Sequence, residues 1–146
     1  TNDAPQTLTR LMNMGVPPFN IASAVTLIIA QRLARRLCSH CKAPEDIPKE
    51  ALIEEGFTQA QIEEGVTVFK AVGCDNCTAG YKGRAGIYQV MPVSEAMGRI
   101  IMEGGNSMQL GDQAASEGIA DLRQSGLKKV AEGLTSLEEL NRVITV

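Results

Sequence analysis

The sequence predicts an α+β fold that is mainly helical, and three observations indicate it. Hydrophobic residues make up 44% of the 146 residues and aromatic residues only 3%, so the core must be largely aliphatic, which favours helices. Apolar residues recur at helical spacing on both sides of a cysteine-rich centre. That centre contains two Cys-x2-Cys pairs separated by 32 residues. We expect a long helix leading into a tetracysteine zinc module with a small β-hairpin, followed by a C-terminal helical bundle.

The chain before the cysteines is predicted to form two helices. The first begins near Pro5, since proline is favoured in a first turn, and ends at Gly15. Asn20 is the expected N-cap of a second, longer helix that runs to about Arg36 and delivers Cys38 at its end. The apolar stripe of this long helix consists of Ile21, Val25, Ile28, Ile29, Leu33 and Leu37.

The loop between the cysteine pairs is acidic and is expected to carry structure of its own. One helix spans residues 48–55 and ends at Gly56. Another begins at Thr58, because Gln61 three residues later completes a capping box. Residues 66–72 are β-branched and apolar enough to form a strand.

A second strand is predicted after the second cysteine pair. It spans residues 87–91 and ends at Pro92. Because the two strands flank this pair, we expect them to form a small hairpin beside the metal. The remaining chain, residues 93–146, is expected to be helical. Its helix starts are assigned to Ser94, Ser107, Asp121 and a capping box of Thr135 with Glu138.

The four cysteines, Cys38, Cys41, Cys74 and Cys77, are interpreted as the ligands of one zinc ion. Zinc is tetrahedral in structural sites, and two Cys-x2-Cys turns commonly hold it. A shell of four thiolates is closed, so this zinc is expected to stabilise the fold and not to catalyse a reaction. His40, the only histidine, lies inside the first pair and could replace one sulfur, but the cysteines beside it are better placed.

Other interpretations of the cysteines are weaker or stay open. Two disulfides require an oxidising compartment, and no signal peptide is recognisable. A redox Cys-x2-Cys pair usually stands alone at the start of a helix. An iron–sulfur cluster also takes four cysteines, and spacing alone does not distinguish it from zinc.

Composition and missing motifs restrict the function. A net charge of −3 and a pI of about 5.2 argue against a nucleic-acid partner. The longest apolar run, residues 21–30, is too short to span a bilayer. A phosphate-binding loop, a dinucleotide-binding glycine motif and a nucleophile elbow are all absent from the sequence. We therefore expect no complete catalytic site in these 146 residues.

Basic residues flank both cysteine pairs, and two explanations stay open. They could stabilise thiolates and a zinc–thiolate centre, because nearby cations lower the pKa of a thiol. They could equally form a solvated helix face. The residues are Arg32, Arg35, Arg36, Lys42, Lys82 and Arg84.

Four stretches of the chain together resemble the C-terminal part of the secretion and pilus assembly ATPases. They are Thr1-Asn2-Asp3-Ala4-Pro5, residues 14–19 with 30–38, residues 74–77 with 80–88, and residues 122–130 with 133–139. The resemblance is strongest to the type IV pilus assembly (extension) ATPases of the PilB type. Next come the type II secretion ATPases of the GspE type. Pilus retraction ATPases usually lack the tetracysteine module, so the cysteines favour extension.

The resemblance implies a hexameric motor at the cytoplasmic face of the bacterial inner membrane. Such a motor uses ATP and Mg to drive pilin polymerisation through an inner-membrane platform protein, and regulatory proteins are possible further partners. It also implies that residues 1–37 are the C-terminal helices of a RecA-like ATPase core, residues 38–92 the zinc module and residues 93–146 a C-terminal helical subdomain. The nucleotide-binding motifs would precede Thr1, so this piece alone is expected to be inactive.

Two alternatives to the pilus motor remain at this point. One is a type II secretion ATPase of the GspE type. The other is a freestanding structural-zinc module that binds a protein partner. A redox protein that uses the cysteine pairs is a weaker third hypothesis.

Overall fold

The computed structural model describes residues 3–144 and shows an α+β fold. Its helices are α1 Ala4–Asn13, α2 Pro18–Ala24, α3 Lys49–Glu55, α4 Gln59–Glu64, α5 Glu95–Met102, α6 Ser107–Ser116, α7 Leu122–Ala131 and α8 Leu137–Val143. Its strands are β1 Leu27–Leu37, β2 Ala43–Glu45, β3 Val68–Lys70 and β4 Tyr81–Pro92. Thr1 and Asn2, which open the first of the family-like stretches, lie outside the described residues.

The described residues form two compact units, and each unit draws on separate stretches of chain. Unit 1 takes the residues up to Gln31 together with Tyr88–Leu122, and unit 2 takes Arg32–Ile87 together with the residues from Arg123 onward. The helices expected to form one C-terminal bundle are thus divided, with α5 and α6 in unit 1 and α7 and α8 in unit 2. The division into segments 1–37, 38–92 and 93–146 stays a prediction.

Unit 1 is built on an aliphatic core. Helix α1 begins at Ala4, beside the predicted Pro5, and the side chain of Asp3 caps it by accepting the Gln6 N–H at 2.9 Å. Helix α5 begins after Ser94, whose hydroxyl accepts the Met97 N–H and confirms the predicted cap. The buried core consists of Ala4, Leu8, Ile21, Ile28, Met91, Met97, Ile101, Leu110 and Ala114.

The long helix predicted from Asn20 to Arg36 is wrong. Helix α2 starts after Pro17 and ends at Ala24, and the chain then continues as strand β1. The run after Ala24 is rich in β-branched residues, which favour a strand, and β1 pairs with the distant strand β4. Ile29 and Leu33, expected inside the helix stripe, are 57% and 48% exposed.

The pairing of the short strands also differs from the prediction. Strand β3 is present within residues 66–72, but it pairs antiparallel with β2, with Ala43 opposite Lys70 and Glu45 opposite Val68. Strand β4 pairs with β1. A hairpin between β3 and β4 is therefore wrong, because each of these strands finds its partner beside the first cysteine pair.

The helices between the cysteine pairs confirm their predictions. Helix α3 ends at Gly56 in a left-handed conformation, and α4 begins with the capping box of Thr58 and Gln61 and ends at Gly65. Two of the three helix starts further along need correction. Asn106 caps α6 in place of Ser107, and Ser136 caps α8 in place of Thr135. Helix α7 begins at Leu122, directly after the predicted start at Asp121.

Within residues 3–144, no helix has both the length and the apolar character that crossing a membrane requires.

Candidate metal centre

The first Cys-x2-Cys turn connects β1 to β2. Cys38 directly follows β1 and is buried, and its backbone N–H donates to the Gly80 carbonyl at 2.9 Å. The Lys42 N–H donates back to the Cys38 carbonyl at 3.0 Å and closes the turn. His40 lies in this turn and is exposed.

The second turn connects β3 to β4 and approaches the first from the other side of the site. The backbone N–H of Gly73 donates to the Cys41 sulfur at 3.3 Å, so one turn binds a sulfur of the other. Within the second turn, the N–H of Cys74 points at the Cys77 sulfur at 3.3 Å and that of Asn76 points at the Cys74 sulfur at 3.4 Å. Thiolates accept such N–H groups, which is typical of a zinc-binding turn.

Gly80 gives the chain the tight bend that follows the second turn. Its φ angle is +94°, and a Cβ at this position would lie 2.5 Å from the Cβ of Ala71 and 2.9 Å from the N of Val72. Only glycine allows both the conformation and this close approach. The bend also aims the Gly80 carbonyl at Cys38, so it joins the two turns through the backbone.

The strand pairing brings the four cysteine sulfurs into one cluster in unit 2. The distances between sulfurs are 3.8 Å for Cys38 and Cys74, 3.7 Å for Cys41 and Cys77, and 3.6 Å for Cys74 and Cys77, and all four lie within 4.8 Å of one another. Zinc–sulfur bonds of about 2.3 Å in a tetrahedron place the sulfurs about 3.8 Å apart. The cluster can therefore hold one tetrahedral metal ion.

The distances between the sulfurs also allow disulfides and an iron–sulfur cluster to be compared with a single metal ion. All four cysteines are free thiols, and separations of 3.6 to 3.8 Å are far from the roughly 2.05 Å of a disulfide bond. An iron–sulfur cluster spreads its cysteines over two or four irons, whereas here every sulfur lies within reach of a single ion. A single tetrahedral ion fits the arrangement, and His40 is not part of the cluster.

The pKa values of Cys38 and Cys74 are shifted in opposite directions. Burial raises the pKa of Cys38, but the backbone N–H groups of His40 and Cys41 outweigh it and lower that pKa to about 7. The Asn76 N–H lowers the pKa of Cys74, but burial and the sulfurs of its neighbours prevail and raise it to about 12. A divalent metal would bind all four cysteines as thiolates and release their protons.

Two of the basic residues near the cysteine pairs, Lys42 and Arg35, have partners other than the sulfurs. The Lys42 ammonium donates to the Gly133 carbonyl at 3.0 Å and lies 4.6 Å from the centroid of the Phe69 ring. The Arg35 guanidinium pairs with Glu139 at 2.9 Å. The sulfurs instead receive backbone N–H groups, so the positive charge nearby is explained only in part by the metal site.

Helix α8 is anchored beside the cysteine turns by a buried polar network that sequence reasoning missed. The carboxylate of Glu139 is fully buried and accepts bidentate hydrogen bonds from Arg35 and from Arg142. The hydroxyl groups of Tyr81 and Ser136 lie 2.7 Å apart. This network joins the end of β1, the start of β4 and the first turn of α8.

The chain is similar to known proteins over nearly its whole length. Residues 1–142 match the family model described as "Type II/IV secretion system protein". The chain is 57% identical over 143 residues to the type IV pilus assembly ATPase PilB of Pseudomonas aeruginosa, with 98% of this chain and 25% of that protein covered. It is 54% identical over 144 residues to PilB of Acinetobacter baylyi, with 98% and 25% covered.

A more distant relative belongs to the secretion branch. The chain is 37% identical over 148 residues to the type II secretion system ATPase E of Vibrio cholerae, with 98% of this chain and 28% of that protein covered. The chain thus spans about a quarter of the length of the curated relatives that it matches.

Proposed function

Because this chain belongs to the type II/IV secretion system protein family, we propose that it forms the zinc-binding C-terminal portion of an ATPase that powers type IV pilus assembly. The observation that carries the proposal is the 57% identity over 98% of the chain to a type IV pilus assembly ATPase. Identity to a type II secretion ATPase is lower, at 37%. The pilus branch is therefore favoured over the secretion branch.

In this proposal the complete protein is a homo-hexamer that uses ATP and Mg. It works at the cytoplasmic face of the inner membrane against a platform protein and does not bind nucleic acid. Residues 1–37 end the RecA-like ATPase core, residues 38–92 form the zinc module, and residues 93–146 form the C-terminal subdomain. The sequence contains no phosphate-binding loop, so hydrolysis would depend on residues outside these 146.

We assign one structural zinc ion to Cys38, Cys41, Cys74 and Cys77. Sulfur separations of 3.6 to 3.8 Å support this assignment, because they agree with a tetrahedral zinc shell. A closed shell of four thiolates leaves no position for water or substrate. The ion's role is then to hold the strand ends β1 and β2 against β3 and β4, which are distant in sequence.

A segment exchange tests the branch of the family. The quarter of Pseudomonas aeruginosa PilB that aligns with this chain is replaced by this chain, and surface pili are counted. The same exchange is made in the Vibrio cholerae type II secretion ATPase, with secreted protein as the readout. We expect pili to be restored and secretion not to be. Restored secretion without pili would assign the chain to the secretion branch.

A further inference from the structure

Unit 2 contains an open cavity of about 580 Å³ beside the second cysteine turn. Cavities of this size accommodate small ligands. Its wall is formed by the end of β1, the second cysteine turn and the start of β4. The lining residues that carry charge are Arg35, Asp75, Lys82 and Arg84, and Asn76 and Thr78 add uncharged polar groups.

Three of the four charged residues in the wall are cations. Lys82 and Arg84 are two positions apart near the start of β4, and both line the cavity. Both are exposed, and neither side chain has a hydrogen bond or ion pair with any residue in the range 3–144. Asp75 supplies the only negative side chain. The cavity thus presents two cationic side chains, those of Lys82 and Arg84, that pair with no group in the described part of the chain.

Arg35 is held in a fixed position at the same cavity. Its Nε and Nη2 atoms donate to the buried Glu139 carboxylate at 3.1 and 2.9 Å, and its guanidinium lies 4.2 Å from the centroid of the Tyr81 ring. Nη1 makes no hydrogen bond to the described residues, and the side chain stays 45% exposed. An arginine fixed in this way loses little conformational entropy when it binds a ligand.

Neutralisation of the cysteine sulfurs does not account for these cations. Neither Lys82 nor Arg84 donates to a sulfur, although Cys77 lines the same cavity. The sulfurs receive backbone N–H groups instead, among them those of Gly73 and Cys74. The side chains of Lys82 and Arg84 are therefore available to a bound anion.

We propose that this cavity binds the phosphate groups of a small anionic ligand. Guanidinium groups recognise phosphate through paired N–H donors, and a lysine ammonium adds a mobile point charge. Arg35 provides the fixed donor, and Lys82 with Arg84 provides the adaptable ones. The cavity is large enough for a diphosphate or for the phosphate chain of a nucleotide. Both ligands would be recognised through their phosphate groups, and the experiment below distinguishes a diphosphate from a nucleotide.

The test titrates the zinc-loaded chain with orthophosphate, pyrophosphate and ATP, in phosphate-free buffer at constant ionic strength, and follows backbone amide shifts by NMR. We expect saturable pyrophosphate shifts in residues 75–84. If ATP and pyrophosphate bind with equal affinity, the site recognises only the phosphate chain. If ATP binds more tightly than pyrophosphate, the site recognises a nucleotide. Absence of saturation for all three ligands, or shifts that lie elsewhere, would overturn the proposal.

Matched charge variants make the test specific. Lys82→Gln and Arg84→Gln should each weaken pyrophosphate binding at least about fivefold, because each removes a charge-assisted contact. Lys128→Gln removes the same charge from an exposed position in unit 2 outside the cavity and should change the affinity less than about twofold. Equal losses in all three variants would indicate general charge attraction and contradict a site. Zinc content is measured in each variant, so that loss of binding is not confused with loss of the metal.

Discussion

The carboxylate of Glu139 binds Arg35 at three points across 104 residues of sequence. It accepts the backbone N–H at 2.7 Å, Nε at 3.1 Å and Nη2 at 2.9 Å. Arg142 on α8 donates to the same carboxylate twice, at 2.8 Å each. The fully buried Glu139 therefore fixes the first turn of α8 to the strand that leads into Cys38.

Glu139→Gln should destabilise unit 2 by about 2 to 3 kcal/mol, the range typical of lost hydrogen bonds to charged groups. The amide cannot accept from both arginines at once, and the free energy of unfolding in urea measures the loss. Glu138→Gln is the matched control, because Glu138 is the exposed neighbour on the same helix. It should cost less than about 1 kcal/mol. Equal costs for the two variants would show that the buried ion pairs contribute nothing specific.

The same carboxylate predicts a pH dependence in acid. Burial raises the pKa of Glu139, but the hydrogen bonds from Arg142 and Arg35 outweigh burial and lower that pKa from 4.5 to about 2. A carboxyl with a lowered folded-state pKa stabilises the fold above its unfolded pKa and loses that contribution as pH falls. The stability difference between wild type and Glu139→Gln should therefore shrink between about pH 4.5 and pH 2. A difference that stays constant over this range would contradict the ion pairs. Acid affects the cysteines equally in both proteins, so this effect cancels when the stability of Glu139→Gln is subtracted from that of the wild type.

Gly80→Ala should displace the second cysteine turn. The added methyl group meets the Ala71 backbone and side chain at 2.5 to 2.9 Å, and the φ angle of +94° is strained for alanine. We expect a cost of at least about 2 kcal/mol and weaker zinc affinity. Gly65→Ala is the control, because Gly65 has a φ angle of +91° but no atom within 4 Å of the added methyl group. It should cost only about 1 to 2 kcal/mol and leave zinc affinity unchanged. Equal zinc affinities in the two variants would mean that this close approach does not position the turn.

Cys74→Ser should loosen unit 2 and spare unit 1. Hydrogen exchange is expected to speed up in residues 32–87 and in α7 and α8, because both helices belong to the unit that contains the cysteines. Protection in α1, α5 and the other elements of unit 1 should persist. Ser39→Ala, an exposed change inside the first turn, is the control. Uniform loss of protection along the chain would show that the two units do not respond separately to loss of the metal site.

The local part of this structure was predictable from sequence. The capping box of Thr58 and Gln61, the stop at Gly56 and the cap at Ser94 are each confirmed, because these signals act within a few residues. The four cysteines were also recognisable, since a repeated Cys-x2-Cys spacing has few structural interpretations.

Long-range pairing was not predictable in the same way. The apolar residues from Ile21 to Leu37 recur at helical spacing. The second part of this run is nevertheless a strand, because it pairs with β4, which begins 44 residues after β1 ends. Glu139 was missed because its partner Arg35 is remote in sequence. The sequence did contain a signal for this helix start. Ser136 and Glu139 have the same capping-box spacing as the predicted pair, Thr135 and Glu138, one position further along the chain.

Metal content and ligand identity decide whether the four cysteines hold one structural zinc ion. The chain is purified without added metal, its zinc and iron are quantified, and X-ray absorption at the zinc edge determines the ligand atoms. We expect one zinc per chain with four sulfur ligands at about 2.3 Å, and strong chelation should remove the zinc together with the fold of unit 2. Iron in place of zinc, a nitrogen ligand from His40, or a metal-free chain with unit 2 fully folded would contradict this expectation.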